Sequence, residues 1–193
     1  MSVESLAQRV AAIVIGTSAG GVEALSILLP ALPPGLRAAV FVALHLPRER
    51  PSLAVEIYQA KCRLPVREAE DKEPVRPGNV YFAPPDYHLL IEAGRQVALS
   101  VDDPVNYSRP SIDVLFESAA LVYGKHLMGI ILTGANEDGA RGLAAIQRAG
   151  GVTVVQEPGS ARESRMVVSA LRQCAADFIM SLEDIAALLH TLA

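Results

Sequence analysis

Tryptophan is missing from this chain, and only five tyrosines and four phenylalanines are present among 193 residues. So thin an aromatic set builds no stacking platform for nucleobases. The formal net charge of −4 gives no broad attraction to phosphate backbones, so no nucleic acid partner is expected. Basic residues stand in ones and twos; Arg48 and Arg50 could form a small local basic patch, but there is no basic arm. The two cysteines, Cys62 and Cys174, are far apart and lack redox or metal-ligand spacing, so they read as reduced core thiols of a cytoplasmic protein. No His, Cys, Asp and Glu grouping has the spacing of metal ligands, and neither a metal nor a cofactor is expected. No apolar run approaches the roughly 20 residues of a membrane span. The first ten residues place Glu4 and Arg9 around Leu6 without a signal-peptide core. A soluble, cytoplasmic protein is the expectation.

What is present is apolar: 51% of residues are hydrophobic and only 20% are charged, so much of the chain should be buried. Short apolar runs at Ala11–Ile15, Ala39–Leu44, Val80–Ala83, Met128–Leu132, Val152–Val155 and Phe178–Met180 alternate with helical periods. Val22, Leu25, Leu28 and Leu29 mark one helix, and a second is expected from Ser52 to Lys61 with Leu53 and Ile57 inward. Ser111 can cap a helix reaching Tyr123, with Asp113 in its first turn. Asp138 to Arg148 and Met166 to Leu171 read as further helices, and Ser181 with Asp184 opens a last one whose inner face is Ile185, Leu188 and Leu189. His88–Glu92 and Gln96–Ser100 suit a hairpin turning at Ala93-Gly94-Arg95. Continuous apolar strands alternating with helices predict an α/β fold: a three-layer, doubly wound, mostly parallel sheet with an antiparallel hairpin. With no repeat or linker visible, residues 1–193 read as a single domain, with 1–10 as an N-terminal tail.

Ligands of open parallel sheets sit beyond the carboxyl ends of the strands, and three such ends carry unusual residues. Gly16-Thr17-Ser18-Ala19-Gly20-Gly21 follows the first strand. Ser18 falls at or just before a helix N-terminus, where free N–H groups favour a negative charge such as a tetrahedral oxyanion. It could equally be a plain helix cap, and the G-x-S-x-G match is a common one. A phosphate loop fits less well: the spacing is neither G-x-G-x-x-G nor Walker-like, and no lysine follows. His45 closes the second strand, either as a structural histidine or as a base placed beside Ser18 by the βαβ connection. Leu132-Thr133-Gly134-Ala135-Asn136-Glu137-Asp138-Gly139 ends a third strand. Asp138 there could start a helix or accept the second N–H of the histidine. Glu137 is the rival acid; Asp138 is preferred because Gly139 allows a close turn. His88 in the hairpin reads as structural or as a site-edge residue, and His126 at the opposite rim and His190 at a helix end read as structural.

Assembled, these motifs resemble the catalytic domain of CheB-type chemotaxis protein-glutamate methylesterases. The resemblance runs through Ile15–Gly21, His45-Leu46-Pro47, Pro77–Pro84 with Asp86 and His88-Leu89, Arg109–Phe116, and Leu132-Thr133-Gly134 with Asp138-Gly139-Ala140 and Gly142-Leu143. It implies a serine hydrolase that demethylates glutamate γ-methyl esters on the cytoplasmic helices of chemoreceptors and releases methanol. Some members also deamidate receptor glutamine. By matched position, Ser18 is the nucleophile, His45 the general base and Asp138 the residue that orients it. The implied partner is the methylated chemoreceptor cytoplasmic domain, with a chemotaxis histidine kinase or separate regulator as a further partner class. The membrane is then reached through the receptor only. Family members usually carry an N-terminal receiver domain, which residues 1–10 do not supply. Family positions that are commonly Thr, after the nucleophile, and Met, three before the acid, are Ala19 and Ala135 here. The competing readings are an esterase for small esters and a non-catalytic chemotaxis adaptor.

Overall fold

A computed structural model describes residues 3–46 and 53–193. Pro47, the Arg48 and Arg50 of the expected basic patch, and Ser52 lie outside the described residues. Among the described residues, seven strands form one sheet in the order β3-β4-β2-β1-β7-β8-β9. They are β1 (Ala12–Thr17), β2 (Ala39–Leu44), β3 (Val66–Glu68), β4 (Val80–Phe82), β7 (Leu127–Ile131), β8 (Val152–Gln156) and β9 (Phe178–Met180). Every neighbouring pair is parallel. The expected hairpin, β5 (His88–Glu92) and β6 (Gln96–Ser100), is a separate antiparallel sheet.

Alternation along each strand feeds two cores. Ile13, Ile15, Val40, Val42 and Leu44 face one side, where α2 (Gly21–Ala31), α3 (Ala54–Gln59) and α7 (Leu182–His190) deliver Leu25, Leu28, Leu29, Tyr58, Ile185 and Leu189. Ala12, Val14, Ala39 and Phe41 face the other, against α4 (Ile112–Tyr123), α5 (Ala140–Arg148), α6 (Arg165–Gln173) and the hairpin. Burial on both faces is why these strands are apolar runs without polar alternation. No helix among the described residues is long and apolar enough to cross a membrane. Cys62 and Cys174 are buried free thiols, and burial pushes both up from the ordinary thiol pKa.

Three local expectations need correction. Within the expected N-terminal tail, the described residues form α1 (Val3–Arg9), and Leu6 is buried in the first core. In α3 the inward residues are Ala54 and Tyr58, while Leu53 and Ile57 are 56% and 40% exposed. Both pairs have i,i+4 spacing, but Tyr58 stacks on Phe82 at 5.4 Å and donates its hydroxyl hydrogen bond to Val22 O, which rotates the short helix onto that face. Val22 itself is exposed, so the inner face of α2 begins at Ala24 and Leu25.

The order of strands places the reversal of winding between β1 and β7, where a crevice opens beyond the carboxyl ends. Helix α4 seals the floor of this crevice. Ile112, at its first turn, lies against Gly16 so closely that a Cβ on Gly16 would come within 2.3 Å of Ile112 Cγ2. Gly16→Ala should therefore push α4 away from β1 and cost about 1–3 kcal/mol in denaturant unfolding. The double variant Gly16→Ala/Ile112→Ala should be less destabilised than the two single losses added together. Strict additivity would show that the contact does not set the position of α4.

Candidate active site

Asp138 is the most heavily hydrogen-bonded side chain of the crevice. It follows β7, is fully buried, and precedes Gly139, whose φ of 95° lets the chain turn directly into α5. Its Oδ1 accepts from Asn106 Nδ2 (3.0 Å), Ser111 Oγ (2.9 Å) and Asp113 N (3.2 Å), and its Oδ2 from Ile112 N (2.6 Å) and His45 Nε2 (3.0 Å). Two of these donors are N–H groups of the first turn of α4, where the helix supplies free donors and positive potential. Burial by itself would raise the Asp138 pKa. The hydrogen bond and charge of His45, with the Ile112 and Asn106 donors, outweigh it and hold the carboxyl below its ordinary range.

Asp113 is the opposite case. It is buried beside Asp138, and burial, with that neighbouring charge, pushes its pKa up against the donors from Gly142 N (2.7 Å) and Arg141 Nε (3.2 Å). Asn106 links the two acids: its Nδ2 also donates to Asp113 Oδ2 at 3.0 Å. Expected only to favour the helix dipole, Asp113 is part of the support under the site.

His45 follows β2 and is tied to β1 by its own N–H, which donates to Thr17 O at 3.1 Å. With Nε2 on Asp138, the nitrogen turned away from the carboxylate is Nδ1. Ser108 Oγ and Asn136 Nδ2 each lie 3.4 Å from Nδ1. A recess of about 80 Å³ opens here, lined by His45, Leu46, Tyr107, Ser108 and Arg109.

Ser18 lies one strand over, after Thr17, which is in register with Leu44 of β2. It does not cap α2. The cap is Gly20, without a side-chain hydrogen bond, and among the described residues the Ser18 hydroxyl makes none. Its backbone is fixed instead. Ser18 N and Thr17 Oγ1 both donate to Thr133 O, at 3.0 and 2.9 Å, and Thr133 Oγ1 donates to Ala19 O at 2.9 Å. Buried Gln156 accepts from Thr133 N at 2.9 Å, locking this junction from β8. The structure thus joins His45 and Asp138 directly and brings Ser18 to the same sheet end, with no hydrogen bond between its hydroxyl and the imidazole. Glu137, the rival acid, is exposed.

The remaining histidines hydrogen-bond to the backbone. His88 Nε2 donates to Asp103 O and its Nδ1 accepts from Ser111 N, which steadies the start of α4. His126 and His190 contact backbone carbonyls of Arg9 and Ala31. Asn106, Ser108, Ser111, Asn136 and Thr133 were not singled out as site residues. The signal that could have found Asn106 is the Asn-Tyr pair between Val105 and Ser108, since asparagine favours the left-handed turn conformation.

The CheB methylesterase family profile matches residues 13–189. The chain belongs to the CheB methylesterase family. A Leptospira interrogans protein, provisionally named a protein-glutamate methylesterase/protein-glutamine glutaminase, is 46% identical over 177 residues, 92% of each chain. The Paraburkholderia xenovorans protein-glutamate methylesterase/protein-glutamine glutaminase is 42% identical over 175 residues; the match covers 89% of this chain and 48% of that one, about half its length. The crystal structure of the Thermotoga maritima CheB methylesterase catalytic domain superposes with a TM-score of 0.89 at 31% identity, covering 95% of this chain and 99% of that chain. The family fold is therefore the seven-stranded sheet and separate hairpin seen here.

Because the folded pKa of Asp138 is lowered, its contribution to stability is present above the unfolded value of about 3.9 and is lost as pH falls through the folded value. Asp113, with a raised pKa, contributes with the opposite sign: its stabilisation is present at low pH and is lost as pH rises through its folded value. Asp138→Asn should therefore flatten the loss of stability below about pH 4 in acid-unfolding curves. An acid limb as steep as wild type would show that another group drives it. Asn106→Ala removes a donor from both acids and should cost about 1–3 kcal/mol at neutral pH by denaturant unfolding. A change inside measurement error would remove Asn106 from the support of the site.

Proposed function

We propose that this chain hydrolyses glutamate γ-methyl esters on the cytoplasmic helices of chemoreceptors, with Ser18 as nucleophile, His45 as general base and Asp138 as the orienting acid. The observation that carries this reading is the hydrogen bond from His45 Nε2 to the buried Asp138 carboxylate, at the sheet end where Ser18 has a hydroxyl not used as a cap. Asp138 fixes the tautomer, leaving the Nδ1 lone pair to take the serine proton. Ser18 Oγ attacks the γ-carbonyl carbon, and the oxyanion draws on the N–H groups at the start of α2. The imidazolium returns its proton to the departing methoxide, and methanol leaves. Water, deprotonated by His45, then cleaves the acyl-enzyme to a glutamate carboxylate and restores the Ser18 hydroxyl. A glutamine side chain would follow the same course and release ammonia, in keeping with the glutaminase part of the relatives' names.

The catalytic domain in this proposal is residues 1–193, and its place of work follows its substrate: the cytoplasm, with the membrane reached only through the receptor. A chemotaxis histidine kinase or separate regulator is the proposed second partner. Both belong to signal transduction through receptor methylation.

Ser18→Ala should abolish methanol release from methylated receptor membranes while leaving thermal unfolding unchanged, because its hydroxyl holds no structural hydrogen bond among the described residues. Asp138→Asn should lower kcat by roughly three to four orders of magnitude, since an amide in that place favours the wrong imidazole tautomer. Turnover by Ser18→Ala well above the uncatalysed rate would overturn the nucleophile assignment.

A further inference from the structure

Tyr107 is 100% exposed and sits beside His45 in the lining of the recess. It is the second residue of a two-residue turn: Val105 and Ser108 exchange both backbone hydrogen bonds, at 3.1 and 2.9 Å, and Asn106 and Tyr107 between them have φ of 50° and 62°. Asparagine tolerates this left-handed region, whereas a bulky ring there is an outlier where glycine would sit without strain. The turn nevertheless holds its shape, because Asn106 Nδ2 is anchored on Asp113 and Asp138. The ring is thus carried on a fixed mount, tied to the same carboxylate that orients His45, and it is not packed into the core formed by the described residues. A small ester needs nothing beyond the recess itself. A ring standing wholly in solvent at its edge meets only a substrate with a broad surface of its own.

We propose that Tyr107 is a specificity-determining residue that packs on the helical surface of the protein substrate next to the esterified glutamate. This rests on the function proposed above. A rigid aromatic side chain loses little conformational freedom on contact and buries a large area, which is why tyrosine is frequent at the energetic centres of interfaces.

The test compares wild type, Tyr107→Gly and Tyr107→Phe by steady-state methanol release from a chemoreceptor cytoplasmic fragment carrying glutamate γ-methyl esters. Wild type is also assayed on an N-blocked glutamate γ-methyl ester. Tyr107→Gly should raise KM for the fragment about tenfold with kcat within about twofold, and Tyr107→Phe should keep KM within about twofold, since the ring and not the hydroxyl makes the contact. Glycine suits the turn, so the Tm of Tyr107→Gly should equal or exceed that of wild type. An unchanged KM overturns the proposal, as does a fall in kcat with KM retained, or a KM rise accompanied by a lowered Tm. If wild type cleaves the small ester but not the fragment, the chemoreceptor reading itself fails and takes this inference with it, a result distinct from an unchanged KM in the variant.

Discussion

A single buried carboxylate organises this molecule's working end. Asp138 is an anion removed from water, which is tolerable only because donors from the first turn of α4, from Asn106, from Ser111 and from His45 converge on it. The donors come from three places: the N-terminus of α4 (Ser111, Ile112 and Asp113), the turn at Asn106 and the end of β2 at His45. Satisfying one charge therefore fixes the position of a helix, a turn and a strand-end imidazole relative to one another. The hydrogen bonds that stabilise this end of the fold are the same ones that orient the His45 imidazole.

The close approach of α4 to the sheet is the steric counterpart of that charge. Gly16 offers no side chain where Ile112 lies, so the helix N-terminus comes down onto β1 and its N–H groups reach the carboxylate after β7. The crevice at the reversal of strand order then has a charged, fully bonded floor; no buried side-chain polar atom among the described residues is left without a partner. Asp113, raised by burial and by its neighbour, shows how near this arrangement comes to holding two like charges. Asn106 and Arg141 separate and offset them.

The large features were legible in the residues for physical reasons. Strands buried on both faces must be apolar throughout, and the hairpin bounds followed from alternation around Gly94. His45 and Asp138, placed by their strand ends, are in contact. Features that depend on tertiary competition were not legible. Strand β3 carries only Val66 as a buried apolar residue, too little pattern to separate it from a loop. The face of α3 was decided by stacking of Tyr58 on Phe82, a contact between segments far apart in the chain. Ser108, Asn136 and Thr133 are polar residues in connections, of the kind that ordinary turns contain, and only the folded geometry shows where their hydrogen bonds go.

The Thr133 junction has one more consequence. By accepting from Ser18 N and Thr17 Oγ1 while its own hydroxyl holds Ala19 O, this residue fastens the loop after β1 to the loop after β7. Ser18 is thereby tied to the loop that leads on to Asp138, whereas the imidazole arrives from the adjoining strand. A change at Thr133 would therefore be felt in both loops at once, whereas His45 would be reached only through β2.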